Sequence, residues 1–222
     1  RKFNIVVFGA HPDDPETGCG GLIATLSRTG HSVVCAYGTS FRRNQRYAGM
    51  PEKEIREEEA RQACAILGAK PCFFPWEHDE LVVCPSLLNT VQEWIKSTKP
   101  DIVLAHWPFD SHPHHHAISS LVWQAYLKND AWKLYFYEVM AFEQTIGFRP
   151  DLYLDIAAVH DIKKQAVFCH QSQSPETLWC AHEAMHRMRG AECGVECAEA
   201  FFAPDPRKHN AFLPVPLLRR LI

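Results

Sequence analysis

Apolar and polar residues alternate in blocks along this chain. Residues 3–8 are apolar except for Asn4 and partly β-branched, with no polar face, which predicts a strand buried in a parallel sheet and ending at Gly9. The polar residues 11–16 follow, then a small, apolar helical stretch at 20–26 that stops near Gly30. A second strand is predicted at 32–37, a loop rich in Arg and Gly at 39–50, and a helix at 51–67. In that helix Ala60, Ala63, Cys64 and Leu67 share one face, the charges lie outward, and Gly68 is the stop. Strands at 71–74, 101–105, 133–138 and 152–156 and helices at 86–97, 162–169 and 177–188 complete the reading. No element is assigned between residues 106 and 132, and the end of the chain reads as irregular.

The alternation of strands and helices predicts an α/β fold, a Rossmann-like, mostly parallel sheet with right-handed crossovers and helices on both faces. Residues 1–222 show no repeat, low-complexity stretch or linker, so a single domain is expected.

Composition narrows the function classes. With 46% hydrophobic and 22% charged residues the chain is of ordinary globular composition, outside the disordered, collagen-like and disulfide-miniprotein classes. A net charge of -3 offers no basic stripe, so no nucleic-acid partner is expected. No apolar run approaches the ~20 residues of a membrane span, and no signal-peptide core with a small-residue cleavage site is seen. Nine Cys, an odd number without a C-x-x-C pair, point to free thiols in a reducing, cytoplasmic setting.

Thirteen His are unevenly spread. The segment His11-Pro12-Asp13-Asp14-Pro15-Glu16 packs three carboxylates and an imidazole directly behind a buried strand. Asp14 is expected as the N-cap of the following helix, with Pro15 and Glu16 in its first turn. A cap needs one Asp, and the surplus of His and Asp suits zinc or another divalent metal. The second segment, Trp107 to Ala117, holds His112, His114, His115 and His116, interrupted by Pro113. Both segments follow the carboxyl end of a predicted strand, where open α/β sheets bind ligands. Their convergence predicts a mononuclear site of His, Asp and His with an open position.

The stretch Ala10-His11-Pro12-Asp13-Asp14-Pro15-Glu16-Thr17-Gly18-Cys19-Gly20-Gly21 resembles the A-H-P-D-D-x-E-x-G-x-G-G signature of the LmbE-like, PIG-L family of zinc-dependent N-acetylglucosaminyl deacetylases. Asp110-Ser111-His112-Pro113-His114-His115 is similar to its second motif, D-x-H-P-D-H, and weaker likeness extends over most of the chain. The resemblance implies the LmbE-like deacetylase fold and a Zn2+ cofactor held by His11, Asp14 and His115. It also implies Asp13 as general base, His112 as the group that steadies or protonates the reacting centre, and Arg56 as a substrate contact. The implied enzyme removes the acetyl group from an N-acetylglucosamine-type amino sugar or its conjugate. Family members often assemble as trimers or hexamers, so a homo-oligomer is expected.

One position departs from the pattern: His114 stands where the family has Asp, replacing an anion beside His112 with a neutral or positive ring. On spacing alone His114 or His116 competes with His115 as ligand, and Asp110 is a candidate replacement acid. The basic loop around Arg43 is a further substrate-binding candidate. Two other readings stand beside the deacetylase: a non-catalytic or altered-activity metal-binding member of the same fold, and a sugar-conjugate amidase. A nucleotide-binding module fails because G-x-G-x-x-G is absent and acids at the helix start would repel a pyrophosphate.

Overall fold

The computed structural model describes residues 1–128, 131–140, 143–204 and 214–219. Its strands are β1 (Asn4–Gly9), β2 (Ser32–Thr39), β3 (Arg46–Tyr47), β4 (Met50–Pro51), β5 (Lys70–Trp76), β6 (Ile102–His106), β7 (Lys133–Tyr137), β8 (Leu152–Asp155), β9 (Ala198–Phe202) and β10 (Leu217–Leu218). The helices are α1 (Asp14–Arg28), α2 (Glu52–Leu67), α3 (Pro85–Thr98), α4 (Pro113–Leu127), α5 (His160–Val167) and α6 (Pro175–Cys193). Among the described residues eight strands form one sheet in the order β10-β8-β9-β7-β6-β1-β2-β5, and β3 pairs with β4 in a small hairpin.

From β5 to β7 every pairing is parallel; β9 then enters antiparallel between β7 and β8, and β10 pairs antiparallel with β8. The expected α/β architecture is therefore present, with an antiparallel extension at one side. Alternate strand residues bury on opposite faces, as the two-residue period of a strand requires. Ile5, Val7, Cys35 and Tyr37 pack with Leu22 and Ile23 of α1 and Ala63 and Leu67 of α2. On the other face Val6, Phe8 and Val103 pack with Ile95 of α3 and Ile118, Leu121 and Val122 of α4. Helix α1 thus leaves β1 on one face and α4 follows β6 on the other. The crevice between the carboxyl ends of β1 and β6 is the point where such a sheet opens to a ligand.

Glycines let α1 lie close on the sheet. A Cβ at Gly18 would stand 2.4 Å from the Tyr137 ring, and one at Gly21 2.4 Å from Ile156 Cγ2.

Three expectations change. Asp14 is the first helical residue of α1 and not its N-cap; that place falls to Asp13, which makes no side-chain cap bond, because the Asp14 carboxylate turns back to accept from His11 N–H. The His-rich segment is the start of a helix: Pro113 opens α4 after an N-cap at His112, and its apolar positions 117, 118, 121, 122 and 125 carry the helical spacing. Part of the supposedly irregular end is β9, which contains no β-branched residue and owes its strand form to its place between two neighbours. The stretch 205–213 lies outside the described residues.

Candidate active site

The two motifs meet at the crevice. The His11 backbone N–H donates to Asp14 Oδ2 at 2.7 Å, and the His11 ring presents Nδ1 to the same oxygen at 3.5 Å. From the start of α4, His115 Nε2 comes within 3.3 Å of Asp14 Oδ1, and its Nδ1 lies 3.3 Å from Asp110 Oδ1. His11, Asp14 and His115 are all buried, and their ligand atoms lie within 4.8 Å of one another. Two imidazoles and a carboxylate, converging from two elements without a competing Lys or Arg among them, match the donor set of zinc and similar divalent ions. The carboxylate behind His115 is the arrangement that fixes a ligating imidazole in one orientation.

The same convergence sets the charges in the metal-free protein. Burial pushes the Asp14 carboxyl up, but the His115 and His106 imidazoles outweigh it and hold it well below the usual carboxylate range. Burial opposes charge on His115 too, yet Asp14 and Asp110 raise it to about 10. Replacement of that proton by a cation keeps both carboxylates neutralised.

Asp13 is treated differently from its neighbour. Its backbone is at φ 116°, a conformation that side-chain-bearing residues rarely adopt, at a cost of about 1–3 kcal/mol. Arg56 holds the turn: its Nη2 donates to Pro12 O at 2.8 Å and lies 3.5 Å from Asp13 Oδ2. The Thr17 hydroxyl donates to Asp13 O at 2.8 Å. The carboxylate so placed lines the cleft, and burial raises it to about 7 against the pull of Arg56.

His112, at the start of α4, donates its N–H to Asp110 Oδ1 at 2.8 Å and accepts from His114 N–H through Nδ1 at 3.2 Å. Its ring stacks on His115 at 4.6 Å, and burial together with the neighbouring His115 lowers it to about 4. Asp110 therefore serves the His112 backbone and the His115 ring, with the Thr145 hydroxyl on its other oxygen at 3.2 Å. His114 turns inward and sets Nδ1 2.8 Å from His11 Nε2. His116 is exposed on the far side of the helix, beside Trp123 and Leu127, away from the cluster.

Of the remaining candidates, Arg56 lies in the cleft and not on the surface of α2. Arg43 is exposed and forks onto Glu77, and its neighbour Arg42 lines the cleft instead.

Sequence reasoning did not find three further histidines. His106, the last residue of β6, is fully buried; its Nε2 accepts from Ala10 N–H at 2.9 Å and stands 3.3 Å from Asp14 Oδ2, while its ring stacks on His115 at 4.2 Å. His78, in a 3-10 turn after β5, and His182, on α6, both line the cleft. Both are buried with neither ring nitrogen hydrogen-bonded. Only the position of His106 at a strand end carried a signal in the sequence.

The cleft over this cluster holds about 260 Å³ and is also lined by Arg42, Tyr47, Glu52, Met140, Gln144 and Leu178.

The family model for PIG-L, GlcNAc-PI de-N-acetylase, matches residues 6–126. The diacetylchitobiose deacetylase of Thermococcus kodakarensis is 28% identical over 185 residues, covering 76% of this chain and 69% of its own. The probable N-acetyl-alpha-D-glucosaminyl L-malate deacetylase 2 of Bacillus subtilis is 27% identical over 195 residues, covering 80% and 86%. Among solved structures, the 4-carboxy-2-hydroxymuconate hydratase of Pseudomonas putida KT2440 matches with a TM-score of 0.77 at 25% identity, covering 93% of this chain and 98% of its own.

Proposed function

Since the chain belongs to the PIG-L, GlcNAc-PI de-N-acetylase family, we propose that it is a metal-dependent hydrolase that removes the acetyl group from an N-acetylglucosamine-type amino sugar or its conjugate. The observation that carries this reading is the division of labour between adjacent carboxylates. Asp14 points into a His11–Asp14–His115 donor set, and Asp13, on a strained turn, points into the cleft beside it.

His11, Asp14 and His115 would hold Zn2+ or a similar ion. When bound, such an ion supplies Lewis acidity that polarises an amide carbonyl and acidifies water. Asp13 takes the proton of the attacking water at a carboxylate oxygen. Its raised pKa suits a base that must accept and release a proton near neutral pH. Arg56 keeps that carboxylate aimed and restrains the Pro12 carbonyl.

His112 has its Nδ1 engaged by the His114 N–H, so Nε2 carries the hydrogen and can donate to the developing oxyanion. Burial and the neighbouring His115 lower its pKa to about 4, which favours a neutral imidazole in that role. Arg42 and Tyr47, which line the cleft, supply donors and acceptors for sugar hydroxyls. We place this activity in a single domain and in the cytoplasm, the latter supported by nine free cysteines, five of them buried. Among the described residues no helix is long and apolar enough to cross a membrane.

The test is acetate release by the zinc-loaded protein from a panel of N-acetylglucosamine conjugates. His11→Ala should abolish release and metal binding together. A metal-loaded protein that releases no acetate from any of them, and instead hydrates an unsaturated oxo-acid, would overturn the reading.

A further inference from the structure

His11 is placed between two groups of ligand atoms. Its Nδ1 faces Asp14, while Nε2 faces away from that carboxylate and meets His114 Nδ1 at 2.8 Å. His112 completes a second set: one ring nitrogen each from His11, His112 and His114 lie within 4.8 Å of one another. The rings are 4.7 Å apart for His11 and His112, 5.0 Å for His11 and His114, and 5.1 Å for His112 and His114. A fourth imidazole, His78, packs edge-on against His11 and His114 at 5.4 and 5.0 Å, buried and with neither nitrogen hydrogen-bonded.

We propose that His11, His112 and His114 form a second position for a divalent transition-metal ion, overlapping the His11–Asp14–His115 position through the shared His11 ring. The set exists because His, and not Asp, occupies position 114. The donors are three imidazole nitrogens with no carboxylate, so the position selects Cu2+, Ni2+ or Zn2+ and disfavours Mg2+, Ca2+ and Mn2+. Two nitrogens bound to one tetrahedral ion at about 2.1 Å stand about 3.4 Å apart. The His11–His114 pair at 2.8 Å is a hydrogen bond in the metal-free protein and must open by roughly half an ångström, within the swing of a half-buried His114 side chain on the first turn of a helix.

The two positions exclude one another at His11, because a neutral imidazole offers one lone pair. An ion held by the three histidines therefore removes His11 from Asp14 and His115 and occupies His112, whose ring must release the 3.2 Å hydrogen bond from the His114 N–H to free its lone pair. On the deacetylase reading proposed above, that state is reversibly inactive, and its population grows with the supply of nitrogen-preferring ions.

The experiment is Cu2+ titration of metal-free protein, read by electron paramagnetic resonance for the number of coordinated nitrogens. In Asp14→Asn/His115→Gln, which lacks the first position, one Cu2+ per chain should bind with three nitrogens. Adding His114→Ala should weaken it by more than the about tenfold that losing an outer-shell partner costs. In the otherwise unaltered chain, His114→Asp should shift bound Cu2+ to two nitrogens with carboxylate oxygen, which tests the idea even if the double variant does not fold. Absence of Cu2+ from the folded double variant, an affinity indifferent to His114→Ala, or identical spectra for the parent and His114→Asp would each overturn the proposal. These readouts do not involve turnover: three-nitrogen binding by a protein that releases no acetate would sink the deacetylase reading and leave this one standing.

Discussion

Asp110 and His115 face each other through Oδ1 and Nδ1 at 3.3 Å, which leaves His115 Nε2 turned toward Asp14. The pair joins the loop after β6 to the first turn of α4, and Thr145 steadies its outer oxygen. Asp110→Asn keeps the shape and removes the charge that holds the ring. Zinc affinity, measured by competition with a chromogenic chelator, should fall roughly 10–100-fold with the fold intact by circular dichroism. An unchanged affinity would mean that α4 alone orients His115.

Asp13 and Asp14 are neighbours with opposite assignments. Asp13→Asn should lower kcat by about 10²-fold or more while the metal content stays near that of the parent. Loss of metal in this variant would make Asp13 a ligand and reverse the two roles.

His182 is buried and unpartnered, and burial, aided by the positive charge of Lys163, lowers it to about 3 from 6.5. A group whose folded pKa is depressed contributes stability that is present above its unfolded pKa and lost as the pH falls toward the folded value. The window here runs from about pH 6.5 down to about 3. His182→Leu should therefore lose about 2 kcal/mol less than the parent between pH 7 and pH 5 in urea unfolding. Equal losses would show that His182 is hydrated or paired in solution.

Lys163 is wholly buried, with Nζ 2.6 Å from Glu199 Oε1 and 2.8 Å from His186 Nε2. Glu199 in turn accepts from Gly21 and Leu22 N–H, so the ion pair ties α5 and β9 to the glycine-lined face of α1. Lys163→Met leaves the carboxylate without its cation and should destabilise by about 3–5 kcal/mol, read from the denaturant midpoint. Lys163→Met/Glu199→Gln should recover part of that loss; no recovery would locate the cost in packing and not in the unpaired charge.

Local pattern was enough for much of this protein. The β-branched run before Gly9, the spacing of Ala60, Ala63, Cys64 and Leu67 and the stop at Gly68 state their own structure, because strand burial, helical periodicity and a left-handed cap at φ 76° depend on neighbours in sequence. The surplus of His and Asp behind β1 and β6 was likewise legible as metal chemistry, since a cap or a solvated loop has no use for so many ligand groups. Convergence of the two segments followed from topology alone, both strands ending at one edge of a parallel sheet.

What local pattern could not decide was direction. Whether Asp13 or Asp14 faces His11 depends on a strained φ that Arg56, on another helix, helps to hold. Which of three near-consecutive histidines meets Asp14 depends on the helical phase of α4: a rotation of 100° per residue sends His115 inward to the carboxylate, His116 outward and His114 to the His11 ring. His78 and His182 enter from segments without any motif, and β9 becomes a strand by filling a gap between β7 and β8. Each of these is fixed by contacts between residues remote in sequence, so only the packed tertiary structure, and not the order of residues in any one segment, could settle it.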